Sequence, residues 1–152
     1  MAGVTNRGKY TILNYYFRRQ GTLPTNFYNS LYTSATTPTA DTNTHGDLTQ
    51  IATGNGYTTG GYSLTPGVTD FDVMTEDDGN DKAILQIKDV VWTASGGNIP
   101  ASGSGARYSG LTDDNGTEAS RILFAWWDLS ADRTVSTGQT LTLQNQEIDL
   151  TE

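Results

Sequence analysis

Between Thr5 and Phe17 the apolar side chains Tyr10, Leu13, Tyr16 and Phe17 recur at three- and four-residue spacing behind a capping-type Thr or Asn, and Gln20-Gly21 ends the run. The spacing predicts a short N-terminal helix. Pro24 then breaks the chain. In Asn26–Thr33 (NFYNSLYT), Phe27 and Leu31 share one side with Asn29, and Tyr28 and Tyr32 share the other with Ser30, the alternation of a strand. From Ser34 to Gly61 the pattern gives way to Thr, Ala, Pro, Asn and Gly, with Asp47–Ile51 as one helical turn. A connection this long is expected to make contacts, here with a neighbouring molecule.

The second half predicts strands at Ala83–Ala94, Ala106–Thr112, Arg121–Leu129 and Thr140–Leu150, with short ones near Tyr62–Leu64 and Phe71–Met74. They are separated by Asp78-Gly79, Ser95-Gly96-Gly97, Asn115-Gly116 and Thr137-Gly138, pairs that tolerate the positive φ of hairpin turns. In Ala83–Ala94 the apolar residues move from odd positions (Ala83, Leu85, Ile87) to even ones (Val90, Trp92), which requires an extra residue, a β-bulge at Lys88-Asp89. Thr140–Leu150 changes parity in the same way around Asn145, as a second bulge or a tight turn. Arg121–Leu129 (RILFAWWDL) is apolar on both faces and predicts a central strand covered from both sides, one cover being the N-terminal helix or another subunit. The expected architecture is mainly β: an antiparallel β-sandwich, jelly-roll or Greek-key like, with a short N-terminal helix. Gly21 and Pro24 divide it into a helix or arm over 1–20 and a sandwich domain over 21–152.

Composition sharpens this picture. The 152 residues suit one domain, and 25 Thr with 17 Gly favour short strands and tight turns over long helices. The net charge of −8 opposes the attraction that nucleic-acid binders exploit, so no nucleic-acid partner is expected. No stretch approaches the ~18 consecutive apolar residues of a membrane span, and Met1–Gln20 lacks the charged start and apolar run of an export signal. The expectation is a soluble chain, neither Sec-exported nor bound to a membrane. Charge is segregated: residues 1–40 carry Arg7, Lys9, Arg18 and Arg19 with no acid, and the remainder sets 5 cations against 17 acids, so +4 faces −12. Either the basic segment packs on its own acidic body, or it reaches a neighbouring subunit and makes assembly salt-sensitive.

Candidate chemistry is sparse. His45, the only histidine, lies in a Thr/Asn/Gly loop of a chain without cysteine, which leaves neither a His/Cys zinc site nor a Ser-His dyad and makes His45 an ordinary loop residue. Gly54-Asn55-Gly56 and Gly103-Ser104-Gly105 suit turns better than phosphate cradles. The acids concentrate in turns (Glu76, Asp77, Asp78, Asp81; Asp113, Asp114), where DDGND and DDNG lack EF-hand spacing. Asp89 and Asp128, for example, are carboxylates set in otherwise apolar strands, and partners such as Lys88, Arg107 or Arg121, or a solvent-facing place at a strand end, account for them more simply than catalysis. The expectation is no catalytic residue, no metal and no cofactor. Candidate interface residues are Arg7, Lys9, Arg18 and Arg19 in the basic segment, Tyr57 and Tyr62 in and beside the Gly-rich loop, and the adjacent Trp126 and Trp127, which point to opposite faces of their strand.

PTNFYNSLYTS (Pro24–Ser34), DLTQIATGNGYTTGGYSLT (Asp47–Thr65), VVWTASGG (Val90–Gly97), ARYSGLTDDNGT (Ala106–Thr117), FAWWDL (Phe124–Leu129) and TVSTGQTLTLQ (Thr134–Gln144) are framework patterns spread over most of the chain. Through them the sequence resembles small virion structural proteins of tailed bacteriophages, of the capsid-decoration and tail-associated kind. The resemblance implies a non-enzymatic sandwich on the virion, with copies of itself (a dimer or trimer) and the major capsid protein as partners. The expected role is a capsid decoration (cement) protein at the capsid surface, assembled in the host cytoplasm. The alternative is a carbohydrate-binding module of a tail or fibre that recognises a host glycan.

Overall fold

The computed structural model describes residues 2–151. In chain order its elements are β1 (Ala2–Val4), α1 (Asn6–Arg18), β2 (Phe27–Tyr32), β3 (Tyr62–Leu64), β4 (Val73–Asp77), β5 (Lys82–Ile87), β6 (Val90–Thr93), β7 (Ala106–Thr112), β8 (Leu123–Arg133), β9 (Thr140–Leu143) and β10 (Gln146–Thr151). Single 3-10 turns occupy His45–Asp47 and Glu118–Ser120. The chain is mainly β, all its ladders are antiparallel, and the helix lies where the Tyr/Leu/Phe spacing places it.

One layer is a five-stranded sheet in the order β1-β8-β7-β2-β3. The other is a ribbon of two long strands, β5 running into β6 and β9 into β10, with β4 added at its edge. Leu31, Leu64, Leu111, Ala125 and Trp127 from the first layer meet Ile87, Val90, Trp92, Leu141 and Leu143 from the second in one core. Polar links cross this interior as well: Gln146 accepts from the Asn29 amide and donates to Ser109 Oγ (2.8 Å), and the Trp127 indole N–H donates to the Glu147 carbonyl (3.0 Å). The Asn29 amide N–H, the Gln146 amide, the Ser109 hydroxyl and the Trp127 indole N–H are tolerated inside because they find partners.

The two parity changes in the sequence coincide in space. Ile87 pairs with Gln146 and Val90 with Leu143, so Lys88-Asp89 stands opposite Gln144-Asn145 at a single break in the ribbon. Asn145 adopts φ 53°, and the Gln144 amide donates to Asp89 (2.9 Å) across the break. Both long strands are therefore split there, and the same side chains return to the core beyond it.

β8 is buried on both faces from Leu123 to Trp127. Its outer cover is the Ser34–Gly61 connection: Leu48 joins Tyr32, Tyr108, Leu123 and Trp126 in a second cluster on that side. The connection is expected to contact a neighbour; within the chain it also serves as cover, since Pro38, Thr42, His45, Leu48, Ile51 and Tyr57 are buried in the chain's own body. The N-terminal segment is stitched to the same strand. β1 pairs with β8 (Val4 opposite Ala125), and Thr5 caps α1 by accepting from Gly8 N–H (2.9 Å) while its hydroxyl donates to the Leu123 carbonyl. Among the described residues no helix is long and apolar enough to cross a membrane.

Candidate functional site

The most distinctive surface is the outward face of α1. Its inner side is built on small residues: a Cβ at Gly8 would lie 2.7 Å from the Phe124 carbonyl oxygen, so only glycine lets the helix lie this close to β8, and Thr11 is buried beside it. Burying Gly8 and Thr11 turns the apolar stripe of the sequence outward. Tyr10, Leu13, Tyr16 and Phe17 are 52%, 56%, 68% and 74% exposed, and Leu23 just beyond is 72% exposed. The spacing thus gives the helix correctly but not its orientation, because the sheet accepts the small face rather than the large one. Arg7 stacks over Tyr10 (5.5 Å to the ring centre) and Arg19 over Tyr16 (5.9 Å), while Tyr16 and Phe17 pack edge to face at 5.0 Å. Arg7, Lys9, Arg18 and Arg19 are all exposed, and none forms an ion pair among the described residues. The face is thus an exposed aromatic patch rimmed by cations that form no ion pair among the described residues, a composition shared with protein-binding surfaces.

The aromatic candidates do not join it. Tyr57, expected at an interface, is 1% exposed; its hydroxyl accepts from Leu31 N–H (2.9 Å), and burial pushes its pKa up to about 12. Trp126 and Trp127 do point to opposite faces of β8, but both faces are covered within the chain, Trp126 by Tyr108 and Leu48 and Trp127 by the main core. Tyr57, Trp126 and Trp127 are therefore corrected from interface to core. Tyr62 is half-buried, edge-on to Trp92, with the Lys88 ammonium over its ring at 5.4 Å.

Sequence reasoning missed a polar lock around His45. The imidazole is buried, with Nδ1 accepting from the Tyr32 hydroxyl (2.8 Å) and Nε2–H directed at Glu118 (3.2 Å). Burial lowers the His45 pKa and Arg121 lowers it further, overriding the opposite pull of the partly exposed Glu118 carboxylate; the ring is held neutral. Tyr32 is pushed upward by its own burial. With its amide turned to suit its neighbours, Gln50 donates to Glu118 (3.2 Å) and accepts from Gly60 N–H (2.9 Å) and the Tyr57 hydroxyl (2.8 Å). Arg121 lies over the Tyr28 ring at 3.9 Å. This assembly ties the long connection to β2 and to the β7–β8 loop; His45 is a structural residue rather than the ordinary loop residue expected. No signal in the sequence marks it, because its partners lie far away along the chain.

Several carboxylates are committed to the backbone and to cations. Asp113 accepts from Ile122 N–H (2.8 Å) and Asp114 from Asn26 N–H (2.9 Å). Asp70 binds Lys88 and Thr65 N–H (2.7 Å), which hold it below the usual carboxylate range. Asp128 is lowered by Ser130 N–H (2.7 Å) and by Arg107 (3.0 Å), opposite to the shift a general acid needs. Among the described residues Asp89 accepts only from Gln144. Among the described residues no group of three or more His, Cys, Asp or Glu is placed to hold a metal ion.

Two shallow grooves share Trp127 and Asn145. One, about 750 Å³, separates β1 and α1 from β10 and is lined by Lys9, Leu13, Glu147 and Asp149 among others; the second, about 610 Å³, continues along β8 and β9. Nothing in either exposes an aromatic face broad enough to stack on a sugar ring, since Trp127 is 8% exposed. The chain matches no protein-family model, no curated protein and no solved structure.

Proposed function

We propose that this protein is a structural component of a bacteriophage virion, a capsid decoration protein that bridges and stabilises capsomers. The observation that carries this reading is the α1 face, where a folded sandwich presents Tyr10, Leu13, Tyr16 and Phe17 to solvent among four cations that form no ion pair among the described residues. Residues buried only on assembly shift the shell away from disassembly by mass action, because they stabilise the assembled state and not the free one. Asp70, Asp113, Asp114 and Asp128 fit this role, being held by backbone N–H groups and cations, and so does the resemblance of the sequence to virion proteins. No catalytic step is assigned to any residue. The alternative, a glycan-binding module of a tail or fibre, draws on the groove beside Trp127 and is weakened by the burial of Tyr57, Trp126 and Trp127. Quantifying this chain in purified particles tests the choice. A copy number of the order of the major capsid protein is expected, whereas a few copies per particle would place it at the tail, and its absence from particles would overturn the virion reading.

A further inference from the structure

We propose that the chain associates head to tail with further copies of itself, the outward face of α1 on one copy docking on the β4–β5 hairpin of the next. The proposal deepens the assembly reading by naming both surfaces, and it concerns contacts between purified copies with no particle present.

The hairpin is the counterpart of the helix in every respect the structure describes. β4 is the edge strand of its layer and pairs only with β5, so one row of its backbone groups faces outward. Every residue from Val73 to Glu76 is exposed, Met74 at 78% and Val73 at 40%, so both faces of the strand are open. From Pro66 to Asp81 there is no cation, and the stretch holds Asp70, Asp72, Glu76, Asp77, Asp78 and Asp81. Asp70 is taken by Lys88, and Lys82, the nearest cation, is taken by Asp149. The other five acids form no ion pair among the described residues. Five acids without ion pairs thus accompany an exposed methionine and valine on the hairpin, and four cations without ion pairs among the described residues accompany two exposed tyrosines, a leucine and a phenylalanine on the helix.

Charge also decides which contact forms. Helix against helix sets four cations against four, and hairpin edge against hairpin edge sets five acids against five; both symmetric contacts are repelled. Helix against hairpin pairs opposite charges and places Met74, whose thioether suits aromatic surfaces, within a basic aromatic face. Because the two surfaces differ, the contact is heterologous and propagates into a ring or an open filament.

Sedimentation velocity on the full chain, with two variants at exposed positions, tests this. The wild type is expected to sediment above its 16.4 kDa monomer, increasingly so at higher concentration, and to dissociate as salt is raised. Phe17→Asp removes the helix surface and Met74→Asp the hairpin surface. Each alone is expected to be monomeric with an unchanged circular dichroism spectrum. Mixed in equal amounts they should form dimers and nothing larger, since one intact helix meets one intact hairpin. A wild type that stays monomeric at all concentrations, variants that associate as the wild type does, or variants that fail to complement would each overturn the proposal. None of these outcomes bears on copy number in particles, so the virion reading stands or falls separately.

Discussion

His45 shows how far a single side chain depends on partners distant in sequence. Its neutral ring accepts from Tyr32 and donates towards Glu118, and burial lowers its pKa from the ordinary 6.5. The unfolded chain takes up a proton near the ordinary value, while the folded chain does so only at lower pH. The stability that His45 contributes is therefore present above 6.5 and is lost as pH falls through that value towards the depressed one. Urea midpoints measured between about pH 5 and 8 are expected to fall on acidification in the wild type and to fall less in His45→Gln. Equal slopes in both would contradict a buried neutral imidazole. Gln146 makes a second residue-scale prediction. Gln146→Leu leaves the buried Asn29 amide and Ser109 hydroxyl without their link, and a loss of about 1–3 kcal/mol in denaturant unfolding is expected. At this scale little was legible beforehand: the sequence shows that Tyr57 and Trp126 are large and amphipathic, but only the fold decides that their polar atoms are satisfied, or left over, inside.

Elements were legible where periodicity was strong. β7 (Ala106–Thr112) and β3 (Tyr62–Leu64) match their expected ranges, and the parity breaks at Lys88-Asp89 and Asn145 were visible because a one-residue slip moves every later side chain to the other face. β1 was missed, since Ala2–Val4 is too short and too small to carry alternation. At Asp78-Gly79 the turn forms, but the positive φ falls on Asp81 instead. The Ser34–Gly61 connection misled because hydroxyl-rich composition reads as exposed, whereas a few anchors, Leu48, Ile51 and Tyr57 among them, bury it. In the free protein this connection is therefore expected to resist protease until global unfolding, apart from the exposed Ser34–Thr37 tip, and rapid cutting between Thr42 and Ile51 would contradict its role as the cover of β8. The helix seat makes a further prediction. Gly8→Val places a side chain against the Phe124 backbone and should cost at least about 1–3 kcal/mol, whereas Leu13→Ser on the outer face should leave stability unchanged within about 0.5 kcal/mol.

For the whole molecule the decisive fact is polarity. A sandwich with a closed interior leaves two exposed, oppositely charged, partly apolar surfaces, and neither the helix cations nor the unpaired hairpin acids form an ion pair among the described residues. The segregation of charge was plain in the sequence; that the basic segment settles on its own body through β1 and Thr5 while its cations form no ion pair among the described residues was not. Removing residues 1–20 is a poor probe of this, since it also strips edge strand β1 and the Thr5 anchor from β8 and is expected to lower stability along with association. The chain contains no cysteine, so single introduced thiols report contacts directly. The most direct measurement joins a Phe17→Cys copy to a Met74→Cys copy with a short bis-maleimide at low salt. Cross-linked dimers are expected in the mixture, with little product from either variant alone. Efficient coupling of Phe17→Cys to itself, or no coupling in the mixture, would contradict it.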